Sequence, residues 1–246
     1  RSRGLGDVYK RQTEARIAWA RELSPSELRA EKAKVFTEMV RLPKALKIED
    51  FAERIEDASR WVPYDVLVAM RQRNYTVNIK NRWARGGTKA PKGKGFRAHA
   101  NNKHSYLAKD DTGDVFAHEF AHQIDAFFSG NNIDRGAWTN KAFIGKMREG
   151  YKKFFHKYRT NQKGIYSNGD GEFWKDNWLN NYEGRIYKWA GKESDGLEFW
   201  AMNCQRYAMH KAGKNIPGLA PWGMTKRRYP ELAKFIENLF EGDFMT

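Results

Sequence analysis

A His-Glu-x-x-His motif occupies His118 to His122, where the chain reads His-Glu-Phe-Ala-His. On a helix, His118 and His122 are four residues apart, so both imidazoles project from one face, one turn above the other. Two imidazoles at this spacing can hold one Zn²⁺, and the Glu119 carboxylate can reach a water molecule beside the metal without ligating it. The spacing therefore predicts a zinc site in which Glu119 acts as the catalytic base.

The residues around the motif favour a helix. Asp114 can cap its N-terminus, apolar side chains recur along it, and no Gly or Pro interrupts it from Val115 to Phe128. The alternative is a half-buried helix whose histidines are satisfied by backbone or carboxylate groups. A complete motif on a predicted helix is well above chance in a chain with six histidines, so we favour the metal site.

A catalytic zinc takes three protein ligands and keeps one open position, so a third ligand is needed. Glu198 is the strongest candidate, because it begins an apolar helix, from Leu197 to about Lys211, where a carboxylate is otherwise out of place. Its alternative role is that of a first-turn acidic residue that complements the helix dipole. The rival ligands are Glu193, Asp195 and Asp125.

Asp125 has two readings. It follows His118 by seven residues, nearly two helical turns, so it shares the face of the ligand histidines. It could accept a hydrogen bond from a ligand histidine and fix its tautomer. It could equally be a surface or helix-packing aspartate.

The amino-acid composition limits the classes of protein to which this chain can belong. A chain of 246 residues with 40% hydrophobic and 14% aromatic residues can bury a core. No stretch approaches eighteen apolar residues, so no membrane span is predicted. The single Cys204 excludes an internal disulfide and a zinc site built from cysteines. The net charge of +15 is compatible with a nucleic-acid or acidic partner, or with solubility alone.

Patterns along the chain predict helices around a small sheet. A capping box begins at Ser24, and its helix should run to about Leu42 and end at Pro43. A strand is predicted from Tyr75 to Ile79. The other predicted helices are 13–23, 48–61, 64–73, 141–158, 197–211 and 230–240, and 161–181 is expected to be a loop.

A hairpin is predicted before the motif helix, from Phe96 to Ala108 with its turn at Asn101 and Asn102. Ser105–Ala108 is expected to be the sheet edge that pairs with an extended peptide. His99 and His104 flank the turn and are expected to be exposed polar residues rather than ligands. The basic segment 80–103 is expected to be a solvated loop, with nucleic-acid contact as the alternative.

Several segments resemble gluzincin metallopeptidases, most of all the lethal-factor-type and Pro-Pro endopeptidase domains. Those domains combine His-Glu-Phe-x-His-x-hydrophobic-Asp with a downstream Glu-Phe-Phe-Ala helix, a preceding Tyr, and a closing Pro-x-x-x-x-Phe-Ile helix. This chain has His118 to Asp125, Glu198 to Ala201, and Pro230 to Ile236. Residues 182–187 and 198–202 also look like metallopeptidase-like regions attached to phage head-morphogenesis proteins. Met202 stands where the toxin relatives have a second Glu, and the Tyr-to-Glu spacing is longer.

The resemblance implies a zinc-dependent endopeptidase with an α+β, zincin-like fold. It implies a small mixed sheet with an edge strand over the motif helix, and a mainly helical C-terminal subdomain. The metal ligands would be His118, His122 and Glu198. The donor to the oxyanion would be Tyr187, with Tyr182 as the second choice. We divide the chain into residues 1–12, which resemble translated adapter sequence and are expected to be non-native, a helical extension 13–62, and the peptidase domain 63–246.

The alternative function is a non-catalytic zincin-like module of a phage particle that binds nucleic acid or protein through its basic surface. The expected partner of the peptidase is a peptide or protein substrate. A cytoplasmic or virion-associated location is expected, and the sequence does not give the oligomeric state.

Overall fold

The computed structural model describes residues 3–80, 98–100, 103–129, 146–159, 162–165, 172–174, 178–186 and 196–241. Its α-helices are α1 Arg3–Ala20, α2 Pro25–Met39, α3 Ala52–Arg60, α4 Tyr64–Gln72, α5 Gly113–Ser129, α6 Lys146–Tyr158, α7 Leu197–Ala212, α8 Trp222–Arg228 and α9 Pro230–Glu241. Its strands are β1 Val40–Arg41, β2 Thr76–Lys80, β3 His99–Ala100, β4 His104–Ala108, β5 Lys163–Ile165, β6 Glu172–Trp174 and β7 Arg185–Ile186. Short 3-10 helices span Ile48–Phe51 and Asn181–Gly184. Among the helices described, none has the length and apolarity that crossing a membrane requires.

A four-stranded mixed sheet with the order β1-β2-β4-β3 confirms the predicted α+β class. β1 and β4 run parallel to β2, whereas β3 is antiparallel to β4, as the predicted hairpin requires. The expectation that Ser105–Ala108 forms the sheet edge is wrong. Ala100 pairs with Ser105 and His99 with Tyr106, so β4 is an inner strand and β3 lies outside it.

Helices α2 and α3 pack directly on the motif helix α5. The predicted capping box is present: Ser24 accepts from the backbone N–H of Glu27, whose side chain accepts from the backbone of Ser24. Phe36 of α2 meets Phe120 edge-on, with ring centroids 4.7 Å apart. The prediction that α2 extends to Leu42 is wrong, because Val40 turns extended and joins the sheet beside β2.

Helix α7 is deeply buried, with every residue from Glu198 to Met209 buried. It lies alongside α5, and the indole N–H of Trp200 donates to the Ala121 carbonyl at 3.0 Å. The predicted loop 161–181 instead contains β5 and β6, which form a second antiparallel sheet with β7. Strands of three residues are too short to show an alternating pattern, and this explains why the sequence did not reveal them.

Candidate metal centre

Helix α5 is held in place through its backbone and its non-ligand faces. Gln123 donates to the Thr76 carbonyl of β2 at 2.9 Å, and Ser105 of β4 donates to the Glu119 carbonyl at 3.3 Å. The Trp200 indole holds the opposite side of the helix through Ala121. With the helix fixed between sheet and α7, one face is left to present the two histidines of the motif.

His118 and His122 lie next to one another on that face, as their spacing predicts. Their ring centroids are 5.0 Å apart and the rings are nearly perpendicular, at 83°. His118 is buried and His122 is half-buried. His122 is therefore the more exposed ring of the pair.

Glu198 reaches the two histidines from the first turn of α7. Gly196 precedes that helix with a φ of +83°, a left-handed conformation that suits glycine, and its carbonyl accepts the first helical hydrogen bond, from Trp200 at 2.9 Å. This start point directs the Glu198 side chain into the core, where only 2% of the residue is exposed.

The three side chains form a group that could hold a metal ion. Glu198 Oε2 lies 3.0 Å from His118 Nε2 and 3.3 Å from His122 Nε2. The three donor atoms all fall within 4.8 Å of one another. A tetrahedral zinc with bonds of about 2.0 Å separates neighbouring ligand atoms by roughly 3.3 Å. The donor set and its spacing therefore fit a metal ion of this kind.

Glu119 sits beside this group in a different environment. It is buried, and among the described residues its Oε2 has no hydrogen-bond partner. Burial disfavours its anion and, with the nearby Glu198 charge, outweighs the attraction of His118 and raises the pKa of Glu119 to about 8. A buried carboxyl oxygen aimed away from every protein donor is available to a small polar molecule.

The pKa of Glu198 shifts in the opposite direction to that of Glu119, whereas the pKa of His122 is raised. Burial opposes ionisation of Glu198, but His122 and the hydrogen bonds from both histidines outweigh it and hold the pKa of this carboxyl well below its usual value. Burial likewise opposes protonation of His122, yet Glu198 raises the pKa of that imidazole. Glu198 is thus an anion in a site that favours a cation beside it.

Tyr182 is the tyrosine that the described structure brings to the site. Its ring centroid lies 6.1 Å from that of His118. It belongs to the 3-10 helix Asn181–Gly184, whose start is capped by Asn180, which accepts from the Tyr182 N–H at 2.8 Å. Tyr187, the first choice from the sequence, lies outside the described residues.

The turn that carries Tyr182 is anchored by a buried ion pair. Glu183 has no exposed surface and pairs with Arg206 of α7. The Tyr229 hydroxyl donates to the second Glu183 oxygen at 2.8 Å and accepts from the Leu179 N–H at 3.0 Å. Sequence analysis missed this anchor, because no local pattern indicates that Arg206 and Glu183 meet.

Asp125, for which the sequence left two roles open, has partners on another helix. Its carboxylate pairs with Arg148 and accepts from the Tyr151 hydroxyl at 3.0 Å. Both partners lie on α6, so Asp125 joins α5 to α6, which favours the packing alternative. Asp114 also differs from its predicted role: the helix begins at Gly113, and the Asp114 side chain bonds to Thr112 and Gln205.

Gln205 is a site residue that sequence analysis did not find. Its Oε1 lies 3.2 Å from His118 Nδ1. It follows Glu198 by seven residues, which places both on one face of α7, and that spacing is the signal that could have revealed it.

Among the described residues, the other candidates lie away from the histidine pair. His99 stacks on Tyr106 and His104 Nδ1 lies 2.7 Å from the Thr76 hydroxyl, and neither belongs to the metal-holding group. Glu193 and Asp195 lie outside the described residues, as does the basic segment from 81 to 97.

Comparison with known proteins gives no family for this chain. No protein-family model matches it, and no curated protein matches it at a significant level. Its function is therefore inferred from the residues and geometry alone.

Proposed function

We propose that this protein is a zinc-dependent endopeptidase of the gluzincin type. The observation that carries the proposal is the convergence of His118, His122 and Glu198 in one group, with Glu119 beside it, whose Oε2 has no hydrogen-bond partner among the described residues. Histidine pairs satisfied by packing alone do not need a third, buried carboxylate directed at both rings. The antiparallel strand beyond β4 and the third ligand on a later helix also suit a zincin-like fold.

Zn²⁺ is the metal that we infer for the site. Two imidazole nitrogens and one carboxylate oxygen form a common ligand set for catalytic zinc, with one position left open. When bound there, zinc supplies Lewis-acid activation of a water molecule and of the scissile carbonyl. His118, His122 and Glu198 would hold the ion.

Glu119 would act as general base and then general acid. Burial raises the pKa of Glu119 and a bound cation would lower it, so the two effects together would bring this carboxyl toward the range in which a base can both take up and release a proton. Glu119 would accept a proton from the attacking water and deliver it to the leaving amine. Its burial excludes competing solvent, so the transfer would occur within the site.

Tyr182 would stabilise the oxyanion that forms on the substrate carbonyl. Its ring lies next to His118, and the buried Glu183–Arg206 pair fixes the turn that carries it. Tyr187 remains the alternative donor. The substrate would bind as an extended strand along the outer side of β3, the strand beyond β4 in the sheet.

The alternative is a non-catalytic module, for which the net charge of +15 is the favouring observation. A basic surface can bind nucleic acid through phosphate contacts, and such binding weakens steeply with salt. A binding module does not require the Glu119 carboxyl, whereas the peptidase requires it as general base, so the two proposals differ in the role of Glu119.

The test combines metal content with two carboxylate variants. Protein purified without added metal is expected to contain about one zinc per chain, in line with a single three-ligand site. Glu119→Gln should keep the zinc and lose hydrolysis of a casein or peptide-library substrate, whereas the matched Glu198→Gln should lose both. Full activity in Glu119→Gln would overturn the proposal, and salt-sensitive DNA binding without zinc would favour the binding module.

A further inference from the structure

A chain of buried hydrogen bonds runs away from the metal centre behind His118. Gln205 Oε1 lies 3.2 Å from His118 Nδ1, and Gln205 Nε2 donates to Asp114 Oδ2 at 2.8 Å. The Thr112 hydroxyl donates to the other Asp114 oxygen. His118, Gln205 and Asp114 are all buried. These three side chains therefore face other protein groups, and the chain reaches solvent only at Thr112.

The chain fixes the orientation of the Gln205 amide. A carboxylate only accepts hydrogen bonds, so the amide nitrogen must face Asp114 and the amide oxygen must face His118. An amide oxygen also only accepts, so His118 Nδ1 must carry the proton. His118 Nε2 is then the nitrogen that faces Glu198, where a metal ion would take the place of its proton. One carboxylate thereby selects the tautomer of a residue with which it makes no hydrogen bond.

We propose that Gln205 and Asp114 are positioning residues that set the ring orientation and tautomer of His118 for metal binding. The inference rests on the proposed function in so far as the bound group is a metal. Partners of this kind on the far nitrogen of a ligand histidine contribute roughly 10-fold to 100-fold to metal affinity. Neither residue would touch the metal or the substrate.

Each of the two helices contributes one metal ligand and one positioning residue. α5 carries the ligand His118 and, four residues earlier, Asp114, while α7 carries the ligand Glu198 and, seven residues later, Gln205. Both spacings keep the pairs on one helical face. The bond from Gln205 to Asp114 thus ties α7 to α5 at the same place as the Glu198–His118 contact.

The first experiment reads the tautomer in metal-free protein. Long-range ¹⁵N–¹H spectra of histidine-labelled protein, with His118 assigned through a His118→Gln variant, should show a proton on Nδ1 in the wild type. In Gln205→Leu, Nδ1 should lose this proton, because Glu198 remains as the acceptor at Nε2 while Nδ1 has lost its own. A wild-type His118 without a proton on Nδ1, or an unchanged tautomer in Gln205→Leu, overturns the inference.

The second experiment measures metal affinity by competition with a chromophoric chelator. Gln205→Leu and the nearly isosteric Asp114→Asn should each bind Zn²⁺ roughly 10-fold to 100-fold more weakly than the wild type. The control is Gln123→Leu, which removes another buried amide on α5 that bonds to the sheet instead. It should lower the melting temperature yet keep the affinity of the wild type.

The outcomes separate the inference from the proposed function. If the wild type binds no zinc, the peptidase proposal fails, while the tautomer of His118 still decides whether Gln205 and Asp114 orient the ring. If the wild type binds zinc and both variants bind it equally well, the positioning role is overturned and the peptidase proposal stands. Should Gln205→Leu not fold, Asp114→Asn decides, because it preserves the volume of the side chain.

Discussion

Glu119 and Glu198 are two carboxyls of one buried site whose environments push their pKa values apart. Burial raises the pKa of Glu119, whereas the two histidines hold the pKa of Glu198 far below its usual value. Where two such groups diverge, the group with the raised pKa is suited to proton transfer and the permanent anion to charge stabilisation. This division supports Glu119 as the base and Glu198 as the metal ligand.

The proposed role of Tyr182 as oxyanion donor can be tested against the same role for Tyr187. Tyr182→Phe removes only the hydroxyl, so we expect zinc content to be unchanged and kcat to fall roughly 10²-fold to 10³-fold, as for other lost oxyanion donors. Tyr187→Phe is the matched control and should retain most of the activity. Steady-state peptide hydrolysis measures both, and a large loss in Tyr187→Phe alone would transfer the oxyanion role to that residue.

At the scale of single elements, the start of α7 determines where Glu198 points. Gly196 has a positive φ, and a Cβ at this position would lie 3.2 Å from Phe155 Cβ. Gly213 ends the same helix, also with a positive φ, but has open space around it. The two glycines share a backbone conformation and differ in crowding and in proximity to the ligand.

Gly196→Ala and Gly213→Ala therefore form a matched pair. Each should lower the free energy of unfolding by about 1–2 kcal/mol through the left-handed conformation alone. Gly196→Ala should lose more, because Phe155 must move, and it should also weaken zinc binding by shifting Glu198. Denaturant unfolding and chelator competition measure these effects, and equal zinc affinity in the two variants would contradict the account of the α7 start.

The Glu183–Arg206 pair anchors the Tyr182 turn to α7 and should be costly to break. Arg206→Met leaves a buried carboxyl without its cation, so we expect a loss of about 3–5 kcal/mol. The matched surface change is Arg71→Met, which removes the exposed partner of Glu38 and should cost at most about 1 kcal/mol. Urea denaturation of the two variants provides the comparison.

The loss in Arg206→Met should also depend on pH. Burial, only partly offset by Arg206 and Tyr229, already raises the pKa of Glu183 in the folded protein. Without Arg206 that pKa rises further, so the folded state binds a proton that the unfolded state has released. The variant should therefore lose stability relative to wild type as the pH rises from acidic values, where Glu183 is protonated in both proteins, to neutral and alkaline values. A destabilisation that is constant over this interval would show that Glu183 does not titrate.

The sequence predicted what local spacing determines and missed what tertiary contact determines. His118 and His122 share a face because they are one turn apart, and Glu198 was conspicuous as a carboxylate in an apolar helix. Gln205 shares a face of α7 with Glu198, but that spacing alone does not indicate its role, which comes from contact with a helix distant in sequence. Likewise β1 was missed, since two residues become a strand only through their pairing with β2.

At the scale of the whole molecule, the net charge of +15 should influence which substrates arrive at the site. A positive surface attracts acidic peptides and raises their association rate, and salt screens this attraction. Two peptides can be compared that share one cleavable sequence and differ only in whether acidic or basic residues flank it. We expect kcat/KM to be higher for the peptide with acidic flanks. The advantage should shrink as NaCl is added, and equal values at low salt would contradict electrostatic selection.

The location of the third ligand also has a consequence for biosynthesis. The motif on α5 is translated well before α7, and the segments from α6 to β7 separate the two. A nascent or truncated chain that stops before α7 thus contains the complete His-Glu-Phe-Ala-His sequence but lacks both Glu198 and Gln205. Under the proposed function, such a chain would be an inert fragment, and proteolytic competence would begin only once α7 had been synthesised and folded against α5.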